Sequence, residues 1–216
     1  MLNTVQLYTS SMHTDTSPTS ARPEQSNRAS SRNRLQDLAL IAVFAALIIV
    51  LAFVQIPVGT AGVPLVLQNA AVVLGGLVLG ARRGFLAVLL FLGLGMIGLP
   101  VLAGGRTTIA ALAGITVGYI VGYLISAFIA GLIAERAPRK RGAGMFAVLG
   151  LAALAGLATQ YLSGIVGMVL RGGLSFTEAT IAQVPFILPD LGKFALMVVI
   201  AAGVHAAIPD LRRRGR

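Results

Sequence analysis

Six runs of apolar residues, at approximately 38–54, 64–79, 85–103, 109–134, 145–170 and 184–208, dominate this chain. A helix needs about 20 mainly apolar residues to cross a hydrocarbon layer about 30 Å thick. Inside that layer every backbone N–H and C=O must find its partner within the protein, which restricts what such runs can become. With 56% hydrophobic and 11% charged residues among 216, the chain reads as an integral membrane protein. The expected fold is all-α and polytopic: a bundle of six transmembrane helices. The second run is short and carries Gln68 and Asn69, so it is expected to be tilted, broken or partly re-entrant.

Lysine and arginine give the orientation, because cytoplasmic connections carry an excess of both. Fourteen of them fall before the first run, after the second and fourth, and behind the last, against two, Arg106 and Arg171, after the third and fifth. Both termini are therefore expected to be cytoplasmic. Residues 1–35, rich in Ser, Thr, Asn, Pro and Arg without a sustained period, read as a disordered cytoplasmic tail. Residues 36–209 are expected to form the six-helix membrane domain, and 210–216 a basic cytoplasmic tail. The N-terminal tail lacks an apolar core followed by a small-residue cleavage site, so no cleaved secretory signal is expected; His13 within it is incidental.

A net charge of +10 does not point to nucleic acid, since the basic residues lie in short clusters between apolar runs rather than on one soluble face. The absence of cysteine excludes disulfides, thiolate metal sites and thiol catalysis. Neither HExxH, a glycine-rich loop ending in GK[ST], nor GxSxG occurs. No catalytic residue, metal site or cofactor is expected, and any ATP-driven activity must come from a partner. The chain is not read as an enzyme.

Asp190 and Lys193 lie within the last run. A charged side chain at a helix centre costs about 2.5 to 3.5 kcal/mol on insertion scales, so two demand mutual pairing or a polar cavity. Positions i and i+3 share a helix face, which allows the pairing. With entry from the outer side near Val184, Asp190 sits about 9 Å deep at 1.5 Å per residue, where an incoming ligand could meet it. The outward connections IPVGTAGVP, AGGRTT and RGGLSFTEATIAQVP favour turns and extended backbone rather than helix; they either bring main-chain amides to a ligand or serve only as turns.

Other polar and small residues carry two readings each. Gln68 and Asn69 offer amide donors and acceptors to a ligand, or bond a neighbouring helix. Tyr119 is the better placed of Tyr119 and Tyr123 to line a pocket, Tyr123 being a packing residue. Gly76 and Gly80, and Gly114, Gly118 and Gly122, are spaced by four and point to close helix contacts. Ala42 and Ala46 make a similar small patch, for packing or for docking. His205 reads as an interfacial residue.

Four strings in order resemble the BioY family, the biotin-specific substrate-capture (S) components of energy-coupling factor (ECF) transporters. They are VPLVLQNAAVVLGGLVLGARRG from Val63, LLFLGLGMIGLPVLAGG from Leu89, GITVGYIVGY from Gly114 and LPDLGK from Leu188. The resemblance spans residues 38–208 and implies a six-helix membrane bundle that captures biotin from the outer side. It implies import together with a transmembrane coupling (T) component and two cytoplasmic ATPase subunits, in a bacterial cell membrane. Asp190 and Lys193 carry over as the polar pair of the pocket, with Gln68, Tyr119 and the turn Gly104, Gly105. Ala42 and Ala46 match the alanine motif that docks on the T component. The chain departs from the family's GPTGGY at Ile115 and Val117. Arg106 stands where a small residue follows the glycine pair, and it reaches either the ligand carboxylate or lipid headgroups. Beside biotin uptake stand two other readings: a proton-coupled secondary transporter built on Asp190, and an S component for another vitamin.

Overall fold

The computed structural model describes residues 22–56, 65–138, 140–208 and 211. The described residues form helices α1 (Arg22–Ala52), α2 (Gln68–Leu79), α3 (Ala81–Met96), α4 (Thr108–Ala113), α5 (Val117–Ala134), α6 (Ala143–Gly172), α7 (Phe176–Ile181) and α8 (Val184–Ala207). A two-residue antiparallel pair, β1 (Gln55–Ile56) and β2 (Leu65–Val66), flanks the first connection. Most of that connection, residues 57–64, lies outside the described residues, as do residues 1–21 with His13. Among the described residues, four segments are long and apolar enough to cross a membrane: Asn33–Ala52, Val117–Ala134, Ala143–Gly172 and Phe176–Ala207, the last combining α7 with α8. The chain is an all-α, multi-pass membrane protein.

The described residues divide into two units between Leu35 and Gln36. In the first, α1 already begins at Arg22, inside the stretch expected to be disordered. Pro23 falls in its first turn, where the missing N–H has no helical partner to lose. In the second unit, α2 is the central element: every residue but Asn69 is buried, against α5, α6 and α8. A helix that is apolar all round has this place in a bundle. Val73 and Leu77 of α2 share the core with Leu149 of α6 and Phe194 of α8.

The second and third runs become two short helices joined without a loop. Gly80 makes the corner at φ +84°, a conformation that costs glycine little. Arg82 and Arg83, expected in a connection, are therefore in the first turn of α3. Arg83 is buried at 2% exposure, pairs with Asp37 at 2.8 Å and donates to the Leu211 carbonyl at 3.1 Å. A charge is buried at bearable cost only when so partnered. Leu211, expected in a basic tail, packs in the core. At the same corner the Glu135 carboxylate accepts from the Ala81 N–H at 2.9 Å, satisfying one of the free donors that open a helix.

The fourth run is broken at residues 114–116 into α4 and α5. The connection after α6 holds a helix, α7, where turns and extended backbone were expected. The Ser175 hydroxyl accepts from the Glu178 N–H, and the Glu178 carboxylate accepts from the Ser175 N–H. That reciprocal pair satisfies two donors at once and starts a helix despite the preceding glycines.

The glycine spacing serves helix contact. A Cβ on Gly118 would stand 1.9 Å from the Ser163 carbonyl oxygen, and one on Gly76 2.3 Å from that of Ala127. Gly114 has the same spacing but only ordinary neighbours, the nearest at 3.6 Å. On α1, Ala45, Ile48 and Ala52 are buried, while Ala42 and Ala46 lie exposed on another face.

Candidate functional site

The first turn of α2 meets α6 and α8 through a set of polar side chains. Asp190 lies two turns into α8, behind Pro185 in the opening turn and Pro189. Pro189 has no N–H to return to the Pro185 carbonyl, so the helix is locally weakened just before the acid. Asp190 is 3% exposed, and its Oδ1 pairs with Lys193 Nζ at 2.6 Å. The sequence places these two on one face, and the structure brings them into contact.

The remaining partners come from far along the chain. Lys193 Nζ also donates to Asn69 Oδ1 at 3.0 Å and to the Val66 carbonyl at 2.8 Å. Asp190 Oδ2 accepts from the Tyr161 hydroxyl at 2.7 Å and from Asn69 Nδ2 at 3.2 Å. The ammonium thus uses its three donors, and Asn69 bridges the pair, giving to the acid and accepting from the base. Two buried charges persist in such surroundings only when each is this fully bonded. The cluster offers a carboxylate, an ammonium, an amide and a phenol within one contact network.

Gln68, expected to bind ligand or a neighbouring helix, bonds backbone at both ends. Its Nε2 donates to the Val101 carbonyl at 2.8 Å, and its Oε1 accepts from the Ala103 N–H at 3.2 Å. It braces the strap that leads into the glycine turn. Gly104 and Gly105 have φ of +73° and +70°, which reverses the chain so that Leu102 N–H meets the Arg106 carbonyl at 3.0 Å. Such angles are available to glycine at little cost. Arg106 is exposed, and its guanidinium makes long contacts to the Ala103 carbonyl at 3.4 Å and Thr116 Oγ1 at 3.5 Å. Because Gln68 and Asn69 are adjacent, one turn of α2 ties this strap to the ion pair.

Tyr119 donates to Gln183 Oε1 at the α7–α8 junction, and its ring lies against Gly164. Tyr123 packs against Phe91 with ring centroids 6.4 Å apart. His205, read as interfacial, is instead buried, its Nε2 bonded to the Leu77 carbonyl at 2.8 Å. Among the described residues no group of three or more His, Cys, Asp or Glu is arranged to hold a metal.

The sequence pairs Asn69 only with Gln68 and does not single out Tyr161, Gln160 or Ser126. A signal is present nonetheless: Thr159, Gln160 and Tyr161 are consecutive polar residues in a run whose one other polar side chain is Ser163.

The BioY family model matches residues 22–210, which include α1 to α8 and the whole cluster. The chain belongs to the BioY family. Among BioY relatives, the biotin transporter BioY of Rhodobacter capsulatus is 44% identical over 188 residues, covering 81% of this chain and 96% of that protein. The biotin transporter BioY of Rhizobium etli is 37% identical over 183 residues, covering 83% of this chain and 98% of that one. Among solved structures, the S-component for biotin from an ECF-type ABC transporter is similar with a TM-score of 0.72 and 30% identity. That match covers 81% of this chain and 93% of the other.

Proposed function

We propose that this BioY-family chain is a high-affinity biotin-binding S component that captures biotin from the outer side of a bacterial cell membrane. The observation that carries the reading is the buried Asp190–Lys193 pair, cross-bonded by Asn69 and Tyr161, in a chain whose relatives are biotin transporters. Biotin's ureido ring has two N–H donors suited to the Asp190 carboxylate and a carbonyl suited to the Asn69 amide. Its carboxylate suits Lys193 or Arg106. Ligand groups would exchange for bonds that these side chains make with one another, so little polar surface is left unpaired in either state. Gln68, Gly104 and Gly105 shape the strap beside the site, and Tyr119 holds the α7–α8 junction.

Import then takes a T component and two ATPase subunits, since the chain has no nucleotide-binding loop of its own. The exposed small face of α1 at Ala42 and Ala46 is the docking surface for the T component, because small residues let helices approach closely. Six membrane passes with both termini cytoplasmic fit the charge distribution, α2 and α3 being the short second and third passes. The chain acts as a carrier subunit and not as an enzyme. A proton-coupled carrier and an S component for another vitamin draw no support from the relatives.

Titration of the purified chain with biotin in detergent tests the reading. Wild type is expected to bind, and Asp190→Asn to lose about 100-fold or more, the scale set by breaking charge-assisted bonds in a dry site. Unchanged affinity in Asp190→Asn would remove Asp190 from the site.

A further inference from the structure

Gln160 of α6 is 1% exposed and lies beneath the cluster without entering it. Its Nε2 donates to the Asn69 main-chain carbonyl at 3.1 Å and to Ser126 Oγ at 3.1 Å. The carbonyl can only accept, so the amide orientation follows from chemistry. Ser126, fully buried in α5, donates its O–H to the Tyr123 carbonyl at 3.0 Å, leaving its oxygen free to accept from Gln160. One side chain therefore ties the first turn of α2 to α5 and α6 at once. The next residue, Tyr161, fixes Asp190 Oδ2.

We infer that Gln160, seated on Ser126, is a positioning residue for the binding site: it sets the main chain of Asn69 and thereby the amide that bridges Asp190 and Lys193. The inference rests on the biotin-binding reading above. Three features support positioning over simple core filling. The same nitrogen serves both acceptors, so its place is fixed from two helices. The carbonyl it holds belongs to the one α2 residue that is not buried. An amide in an otherwise apolar interior is costly unless its bonds are made, so a residue needed only for volume would be apolar here.

A double-mutant cycle on biotin affinity tests it. Gln160→Leu, with Gln160→Met as a second apolar substitute should the first fail to fold, is expected to weaken biotin binding by about tenfold, the low end of what removing a group that orients a metal ligand costs. In an Asn69→Ala background the same substitution is expected to cost less than about twofold further, because its effect passes through a side chain that is no longer there. A purely structural role would lower affinity equally in both backgrounds, and that additivity overturns the inference. So does an apolar variant that binds biotin within about threefold of wild type. Failure of the wild type itself to bind biotin would instead overturn the functional reading and this inference with it.

Discussion

A lone carboxylate in an apolar run announces itself, since no packing argument explains a charge there. That is why Asp190 and Lys193 were legible from spacing alone. Their other partners were not, because Asn69 is 121 residues from Asp190 and Tyr161 is 29, separations that only the folded bundle closes. Gln68 differs: its residue type suited a ligand contact or a bond to a neighbouring helix, and only the fold shows its amide bonded to the Val101 and Ala103 backbone. Stability and binding should separate at the ion pair. Lys193→Met alone leaves a buried carboxylate short of its cation, a loss expected to cost about 3 to 5 kcal/mol. Adding Asp190→Asn removes the stranded charge and should recover much of that loss, as measured by thermal unfolding of the ligand-free protein. Biotin binding should not return in the double variant. Recovery of binding together with stability would mean that the pair serves only to hold α8 together.

Helix positions follow hydropathy, but helix ends follow local bonds that hydropathy does not contain. The break at Gly80 needs a positive φ, and the start of α3 needs Glu135 to reach across and accept from Ala81. The α7 helix was written in the sequence as S-x-x-E, yet the glycines before it and the proline after it suggested turns. The reciprocal Ser175–Glu178 bonds outweigh that composition. The glycine spacing on α5 was legible as contact, although spacing alone could not rank its members. Gly118 and Gly114 differ decisively in what a Cβ would meet: 1.9 Å to a carbonyl oxygen in the first case, 3.6 Å at the nearest in the second. Gly118→Ala must push α5 from α6, and overpacking of this kind costs about 1 to 3 kcal/mol. Gly114→Ala should be nearly neutral. Paired unfolding curves decide the matter, and equal stability of the two variants would contradict the close approach.

At the scale of the molecule, the short central helices are the hardest feature to read as spans. At 1.5 Å per residue, α2 and α3 reach about 18 and 24 Å, less than the roughly 30 Å of hydrocarbon. Every residue of α2 but Asn69 is buried, so protein shields most of its surface and its length need not match the bilayer. The charge rule then bears the argument for an even number of passes, because the basic clusters alternate only if both short helices count. The orientation that the charge rule gives α6 is open to direct measurement. The chain contains no cysteine, so single introduced thiols report without background. Lys140 and Thr177 are exposed, in the connection between α5 and α6 and in α7 respectively. In intact cells, Thr177→Cys should react with a membrane-impermeant maleimide, and Lys140→Cys should react only after the membrane is opened. Each site lies at one end of α6, a helix of 30 residues that is long enough to separate them. Labelling of Lys140→Cys but not Thr177→Cys in intact cells would invert the orientation. The Asp190 cluster would then sit near the cytoplasmic face, and capture of biotin from outside could not use it.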